Sequence, residues 1–596
     1  MSSVSERSEI DRAYKWSLES IYGSDEAWEA AYESVEERLD DLAAYEGRAA
    51  EDPETLLSVL ELAEEVGREA DKVTAYARMR SHEDTRDQHY QAMAARARRL
   101  ASEVNSATSF VEPAIQSLDR DDVDAFVGAE QDLAVYEHYF DDVLRRKAHT
   151  RSAEVENLLA ELEEVTGSPG EIYGMLSDAD LEFPTVEDPD GEPVKISNAN
   201  FTTLQQRPDR EFRERVYEAY YDRWADLRNT VASALSSSVA ADLKLADARD
   251  YDSAREAALD DSNVPVAVYD TLLSTVRDNL ETLHRHAELK REVTDGDDLR
   301  MWDLYVPLAD GESPTIEYEA AREHVVAALG ALGEDYRSRV AEGLESRWVD
   351  VYENAGKRSG AYSGGTYDTQ PFVLMNYQDD VSSMYTLAHE LGHSMHSELT
   401  REHQPYVYSD YEIFVAEVAS TVNEALLTHH LLETVDNERL RRHVLDQYLE
   451  RFRSTLFRQT MFADFELQAH RARADGEALT PDRLDGIYRD LKADFYEPAV
   501  LDDRIAREWM RIPHFYRAYY VFQYATGVSA AVALAREILA DDDDAFERYL
   551  RFLRRGSRDY PLELLGDAGV DMTSAAPVEA AIEEYGDRLD EMAGLL

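Results

Sequence analysis

Apolar side chains recur at spacings of three and four residues along most of this chain, a periodicity typical of amphipathic helices. The pattern runs from Ser24 to about Leu181, returns from Asp209 to about Val293, and resumes from Asp380 onward. It is clearest in two runs of the first half: Trp28, Tyr32, Val35, Leu39 and Leu42, then Leu56, Val59, Leu62 and Val66. We therefore predict a mainly α-helical protein.

The chain is long enough to require more than one hydrophobic core. Its 596 residues exceed what a single core usually serves, so we expect at least two lobes. Residues 183–194 carry the pair Asp190-Gly191 between short apolar runs, which predicts a β-hairpin and a junction between lobes. We place a helical N-terminal lobe over residues 1–200 and a second, mainly helical domain over residues 201–596.

The second domain contains the pentad His-Glu-Leu-Gly-His. Residues i and i+4 lie one above the other on a helix, so His389 and His393 can bind one metal ion while Glu390 lies beside it. Residues 371–377 read as a strand and Asp379-Asp380 as an N-cap, so the pentad falls within a helix. Zinc hydrolases use this pattern to bind zinc and a water whose proton the glutamate takes. The pattern indicates peptide-bond hydrolysis.

Two histidines leave zinc one protein ligand short, and the chain has no cysteine. His396 shares their helical face but lies seven residues from His389, about 10.5 Å along the axis, which is too far for one ion. The largely apolar segment 411–427 carries a polar stripe that includes Glu417 and Glu424. A buried carboxylate is costly unless paired or metal-bound, so we predict Glu417 as the third ligand and Glu424 as the partner of a ligating imidazole. The alternative is that both face solvent.

The charge balance limits the possible partners. With 124 acidic and 62 basic residues the formal charge is −62, so nucleic acid and anionic membranes are poor partners. Acid excess with scarce lysine predicts a protein from a high-salt cytoplasm, where screening weakens self-repulsion; an acidic surface for cationic partners is the alternative. The polar residues 1–7 and the absence of an 18-residue apolar run predict a soluble, cytoplasmic protein.

Several further segments have a recognisable form. They are residues 389–397 (HELGHSMHS), 414–421 (FVAEVAST), 513–527 (containing PHFY and YYVFQYATG), 356–363 (GKRSGAYS) and 371–377. Together they resemble the oligoendopeptidase F family of thimet-oligopeptidase-like zinc peptidases, and the likeness extends over nearly the whole chain.

The resemblance implies a two-lobed helical clamshell with a deep central channel and a small β element beside the HExxH helix. It implies one zinc ion per chain, bound by His389, His393 and Glu417, with Glu390 as the general base. The substrates implied are short unstructured oligopeptides, cleaved at internal bonds. The strand at 372–376 is expected to pair with the substrate backbone.

The resemblance also implies residues that stabilise the oxyanion of the transition state. His514 and Tyr519 match the histidine and tyrosine to which the family gives this role, in which an N–H or O–H donor faces the developing charge. Beyond Tyr519 the match is ambiguous, so Tyr520 and Tyr524 are both candidates. The alternative for each tyrosine is packing in a core.

Two other functions stay open at this point. A zinc carboxypeptidase of similar helical build would need a cation to hold the terminal carboxylate of its substrate, and Arg358, Arg511 and Arg517 are candidates. A non-catalytic acidic helical scaffold is the alternative from another class. The glycine-rich residues 357–365 lack the spacing of a phosphate-binding loop, and we expect them to form a flexible lip.

Overall fold

A computed structural model describes residues 4–294, 298–540 and 544–596, so part of the polar N-terminal stretch lies outside the described residues. Most of the described residues are helical, which confirms the prediction of a mainly α protein. The chain forms two compact units of three segments each. Unit 1 comprises Met1–Ala148, Ser313–Thr434 and Leu534–Gly569, and unit 2 comprises His149–Glu312, Val435–Ala533 and Val570–Leu596. The domain boundary near residue 200 rests on the sequence pattern and not on contacts within the fold, and it stays a prediction.

Thirteen α-helices precede residue 300. They are α1 (Asp25–Ala43), α2 (Pro53–Glu83), α3 (Gln88–Thr108), α4 (Val111–Gln116), α5 (Arg120–Ala129), α6 (Glu137–Arg146), α7 (Ala153–Gly174), α8 (Phe201–Gln205), α9 (Arg210–Ala225), α10 (Arg228–Ala248), α11 (Ala254–Asp260), α12 (Val266–Asp278) and α13 (Leu280–Val293) among the described residues.

Eleven more α-helices follow in the described part of the chain. They are α14 (Tyr318–Ala328), α15 (Gly333–Glu345), α16 (Val381–His403), α17 (Ile413–Thr434), α18 (Glu438–Arg451), α19 (Arg458–Ala474), α20 (Pro481–Phe495), α21 (Phe522–Leu539), α22 (Ala545–Leu553), α23 (Pro561–Ala568) and α24 (Ala576–Ala593).

Short helical turns of other types join these helices. The 3₁₀ turns are Arg7–Glu9, Arg12–Tyr14, Leu18–Ser20, Gln131–Tyr136, Met301–Asp303, Leu329–Leu332, Tyr406–Tyr408, Ile505–Arg511 and Pro513–Tyr516. The π-helical turns seen among the described residues occupy Met175–Asp180 and Phe452–Phe457.

The N-terminal helices of unit 1 pack through the faces that the apolar periodicity predicts. Ser24 and Asp52 cap α1 and α2, accepting hydrogen bonds from the backbone N–H groups three residues on. Seven of the nine predicted apolar residues are buried, and the other two, Leu39 and Leu62, are partly buried against the same core; the seven are Trp28, Tyr32, Val35, Leu42, Leu56, Val59 and Val66. Burial of such side chains contributes roughly 1.5–3 kcal/mol each, which makes this face the main stabilising element of the helices.

In the described part of the chain, five short strands form two sheets. In unit 2, β1 (Thr185–Glu187) pairs with β2 (Pro193–Lys195) as the predicted antiparallel hairpin. In unit 1, β3 (Val349–Tyr352), β4 (Tyr362–Gly364) and β5 (Phe372–Tyr377) form a sheet with β5 in the centre, parallel to β3 and antiparallel to β4.

The order of this sheet corrects one prediction about substrate pairing. Residues Phe372–Leu374 of β5 already have β3 on one side and β4 on the other, so a peptide backbone cannot pair with them. The outer strand on that side is β4, whose Ser363 lies opposite Val373. A peptide strand would therefore extend the sheet at β4.

The glycine-rich residues 357–365 make hydrogen bonds to neighbouring segments, and their flexibility stays a prediction. The Lys357 ammonium is fully buried and donates to the carbonyl of Tyr352 at 2.7 Å. Asn376 Nδ2 donates to the carbonyl of Arg358 at 3.0 Å. The segment ends in strand β4, beside β5.

Helix length and apolarity also bear on membrane insertion. Within the described residues, no helix combines the length and the apolar character that crossing a membrane would require.

Candidate active site

Helix α16 carries the pentad in its middle. Asp380 caps the helix, and its side chain accepts a hydrogen bond from the Ser383 backbone N–H at 2.7 Å. His389 and His393 lie in the interior of the helix, so their backbone groups are hydrogen-bonded within it. Because they are four residues apart, both imidazoles lie on one side of the helix. The pentad therefore has the helical setting that the sequence predicts.

Helix α17 approaches α16 closely because Gly392 has no side chain. A Cβ atom at this position would lie 2.6 Å from the carbonyl oxygen of Ala419 and 2.6 Å from Cα of Ser420, closer than real Cβ contacts allow. Asn423 Nδ2 donates to the carbonyl of Ala388 at 3.1 Å and ties the helices together. This close crossing brings Glu417 to the two histidines.

Three side chains converge with the geometry of a metal site. His389 Nε2 lies 3.3 Å from His393 Nε2. Glu417 Oε2 lies 3.4 Å from the first of these nitrogens and 3.6 Å from the second. Four-coordinate zinc with bonds of about 2.0–2.1 Å holds its ligand atoms about 3.3 Å apart, so the three atoms fit one ion. The group could hold a metal ion, as the helical spacing predicts.

Hydrogen bonds fix the orientation of both imidazoles. His389 Nδ1 donates to Glu424 Oε1 at 2.6 Å, and the Glu424 side chain is fully buried. The ring of His393 is hydrogen-bonded to the backbone of Ala416. Each contact leaves Nε2 directed at the shared point, and Glu424 takes the orienting position that the sequence predicts.

The charges of this group change the pKa values of both histidines. Burial lowers the pKa of His389, but the hydrogen bond and negative charge of Glu424 outweigh burial and leave that pKa raised. Burial and the neighbouring charge of His389 lower the pKa of His393 to about 4, so its ring is neutral near pH 7. A neutral imidazole is the form that binds a metal.

Glu390 lies beside this group in a dry environment, with a relative exposure of 6%. Burial, opposed by the charge of His389 and reinforced by that of Glu417, raises the pKa of Glu390 to about 7. The backbone N–H of Ser363 donates to the Glu390 carboxylate, so strand β4 contacts the candidate base directly. A carboxylate with a pKa near 7 is suited to accepting and releasing a proton at neutral pH.

The periodicity missed the residues that support these groups. Ser394 Oγ donates to the Glu390 carbonyl at 2.8 Å and contacts Ser363 Oγ at 2.9 Å. Gly392 and Asn423, which set the crossing of α16 and α17, were also not singled out. Small and amide residues inside otherwise apolar helices are the signal that could have identified them.

In unit 2 the structure groups three of the four residues predicted to stabilise an oxyanion. The rings of Tyr520 and Tyr524 lie 6.0 Å from that of His514 and 5.5 Å from each other. The two tyrosine hydroxyls are 3.4 Å apart. All three side chains are half-buried, so their polar atoms form one partly accessible cluster.

Tyr519 lies apart from this cluster. It adopts a left-handed backbone conformation, with φ of 53°, and its side chain is 3% exposed. Its ring packs 4.7 Å from His470 and 5.6 Å from Tyr269. The backbone N–H of Tyr519 donates to buried Glu466 at 2.7 Å, which holds the turn that directs Tyr519 inward and leaves Tyr520 half-exposed.

The remaining candidates occupy separate places. His396 stacks on Tyr411 at 3.7 Å and is buried away from the ligand group. Arg511 packs over Phe201 in unit 2, and Arg517 lies over the ring of Tyr520. Arg358 lies beside strand β4 in unit 1.

Comparison with known proteins gives a consistent set of relatives. The model of peptidase family M3 matches residues 203–584, and that of oligopeptidase F matches residues 115–183. The chain is 43% identical to oligopeptidase PepF of Bacillus subtilis (strain 168), covering 99% of this chain and 88% of the relative. It is 40% identical to group B oligopeptidase PepB of Streptococcus agalactiae serotype III (strain NEM316), covering 99% and 98%. The solved structure of oligoendopeptidase-F from Enterococcus faecium matches with a TM-score of 0.74 and 37% identity, covering 96% and 99%.

Proposed function

This chain belongs to peptidase family M3 and is a metalloendopeptidase of the oligoendopeptidase F type. We propose that it is a zinc enzyme that acts on short unstructured oligopeptides. The single observation that carries the proposal is the convergence of His389, His393 and Glu417 at mutual distances of 3.3–3.6 Å. Two imidazoles, one carboxylate and one open position are the donor set of catalytic zinc, and one ion per chain suffices.

Glu390 is the proposed general base. His389, His393 and Glu417 would hold the zinc ion, which would supply Lewis-acid chemistry to water and to the substrate carbonyl. Glu390 takes the proton of the attacking water and returns it to the leaving amine. Its raised pKa, about 7, supports both halves of this transfer, because neither the acid nor the base form is strongly favoured at neutral pH.

Strand β4 is the proposed docking edge for the substrate backbone. The Ser363 N–H contacts Glu390, so a peptide added to β4 would run past the base. Backbone hydrogen bonds of this kind require an extended, unfolded peptide and are independent of side-chain identity. They support an enzyme that accepts oligopeptides of varied sequence.

His514, Tyr520 and Tyr524 are the proposed donors to the oxyanion. Their grouping in unit 2 supports the two tyrosines over Tyr519, whose hydroxyl is packed in a core. A positioned donor of this kind is typically worth about 10²–10³ in kcat.

The Glu390→Gln variant tests the proposal. We expect it to bind one zinc per chain while kcat on an internally quenched peptide falls by about 10²–10⁴, because Gln cannot accept the proton. Bound metal is measured by elemental analysis, and activity with and without a chelator. Full activity in Glu390→Gln, or in metal-free protein, would overturn the proposal.

The relatives named oligoendopeptidases favour this function over the two alternatives. A carboxypeptidase would release single residues from a free C-terminus, whereas the proposed enzyme cuts a peptide blocked at both ends into internal fragments. A scaffold would show no metal-dependent cleavage. The cytoplasmic location, the adaptation to strong salt and the exclusion of nucleic acid and membranes stay predictions from composition.

A further inference from the structure

Two arginines flank the first residue of strand β4. The guanidinium carbons of Arg78, on α2, and Arg358 lie 6.0 Å and 5.9 Å from the ring centroid of Tyr362. Both arginines are exposed. Within the described parts of the chain, neither has a carboxylate oxygen within 4.0 Å.

This lack of counter-ions contrasts with two other arginines close in sequence to Arg78. Arg80 pairs with Glu83 at 3.2 Å, and Arg86 pairs with Asp84 at 2.8 Å. Placing two like charges near each other without a counter-ion costs electrostatic free energy, which a bound anion would recover. The chain has a formal charge of −62, so acidic side chains that could pair with an arginine are abundant. The two arginines nevertheless bear this electrostatic cost.

His82 contacts Arg358, and the positive charges of both arginines act on its imidazole. Arg358 Nη1 donates to His82 Nε2 at 2.9 Å, and His82 Nδ1 lies 2.8 Å from the Tyr362 hydroxyl. Burial, with the positive charges of Arg358 and Arg78, lowers the pKa of His82 to about 4. The imidazole is therefore neutral and acts as an acceptor for Arg358, which fixes the direction of that guanidinium.

The pair lies close to the place where the proposed base acts. Tyr362 precedes Ser363, whose N–H donates to Glu390. A strand advances about 3.3 Å per residue, so a peptide along β4 would carry groups within about three residues of the cleaved bond past the two arginines.

We propose that Arg78 and Arg358 form a subsite for a carboxylate of the peptide substrate. The inference rests on the proposed function, in which the peptide lies along β4. Guanidinium groups bind carboxylates through paired charge-assisted hydrogen bonds, and a local positive site offsets the repulsion between this acidic protein and an acidic peptide. The carboxylate belongs either to an aspartate or glutamate side chain or to the C-terminus of the peptide.

Matched peptide pairs separate these two sources. One series replaces Gln by Glu at each of three positions on either side of the cleaved bond, and another pair differs only in a free or amidated C-terminus. We expect kcat/KM to be higher by about tenfold or more for the carboxylate member of one pair, mainly through KM. The preference is expected to weaken as salt is raised.

The variants Arg78→Gln, Arg358→Gln and their combination locate the subsite. We expect the ratio of kcat/KM between the members of the preferred pair to fall toward one, most in the double variant. Arg98→Gln, an exposed arginine of α3, is the control and should leave the ratio unchanged. An unchanged ratio in a folded, zinc-loaded double variant, or no carboxylate preference in the wild type, would overturn the inference. Failure of the proposed function itself would show separately, as activity in Glu390→Gln.

Discussion

Helices α16 and α17 hold their functional side chains on regular helical backbone, whereas residues 513–524 hold theirs on a 3₁₀ turn, a left-handed residue and the first turn of α21. In the first region, side chains four residues apart share a face, so His389 and His393 converge. In the second region, the adjacent Tyr519 and Tyr520 diverge, one into a core and one into a half-exposed cluster.

The two regions also differ in how their charges are compensated. In unit 1, His389 and Glu424 are directly paired, and a metal cation would neutralise Glu417. In unit 2, Glu466 is buried, accepts the backbone N–H of Tyr519, and lies near enough to His470 for their charges to interact. The first region is therefore organised around ligand binding, and the second around a strained turn that selects which tyrosine is accessible.

Glu417→Ala should have the largest effect, a complete loss of metal-dependent turnover. Without the carboxylate only two imidazoles remain, fewer than the three protein ligands of catalytic zinc. Elemental analysis of the dialysed protein should find less than one zinc per chain, and peptide cleavage should not exceed the metal-free level. Glu433→Ala, an exposed position on α17, should retain both. Full zinc content in Glu417→Ala would break the assignment of α17 as a ligand helix.

Tyr520→Phe and Tyr524→Phe test the second region. We expect kcat to fall by about 10²–10³ in at least one of them with KM little changed, because a donor to the oxyanion acts only in the transition state. Tyr519→Phe keeps the packed ring and should leave kcat close to the wild-type value. The reverse pattern, with kcat reduced only in Tyr519→Phe, would show that the turn does not select the accessible tyrosine.

Glu424→Gln should have a smaller effect on the first region. Gln keeps the shape but loses the charge that orients His389, and loss of such a partner typically lowers metal affinity by about 10–100-fold. Competition with a chromophoric chelator measures the affinity, and activity should return in excess zinc. Unchanged affinity would mean that the 2.6 Å contact between Glu424 and His389 does not tune the metal site.

Sequence reasoning was effective where the positions of side chains follow from helical spacing. The spacing placed His389, Glu390 and His393 on one side of a helix, and the cost of a buried carboxylate singled out Glu417 and Glu424. It failed for the sheet, because strand order depends on long-range pairing that no local pattern encodes, and β4 rather than β5 forms the outer strand.

The residues around Tyr519 show a second limit of sequence reasoning. Its left-handed conformation depends on Glu466, 53 residues earlier in the chain, which accepts its N–H. No periodicity links the two positions. The supporting contact of Asn423 with Ala388 was missed for a similar reason, because it joins two helices that only the folded chain brings together.

Glu466→Gln should produce the smallest effect, on stability rather than on turnover. Burial raises the pKa of Glu466 to about 8, against about 4.3 for an unfolded chain, so the folded state binds the proton more tightly. Ionisation of Glu466 therefore lowers stability progressively as pH rises from about 4.3 to about 8, and the loss levels off above that. Gln stays neutral and keeps a carbonyl acceptor for the Tyr519 N–H. The melting temperature of the variant, relative to that of the wild type, should therefore rise with pH across this range while kcat is retained.

The exposed Glu281→Gln controls for the removal of one charge. A pH-independent difference in melting temperature would mean that the turn at Tyr519 is held by an ionised carboxylate.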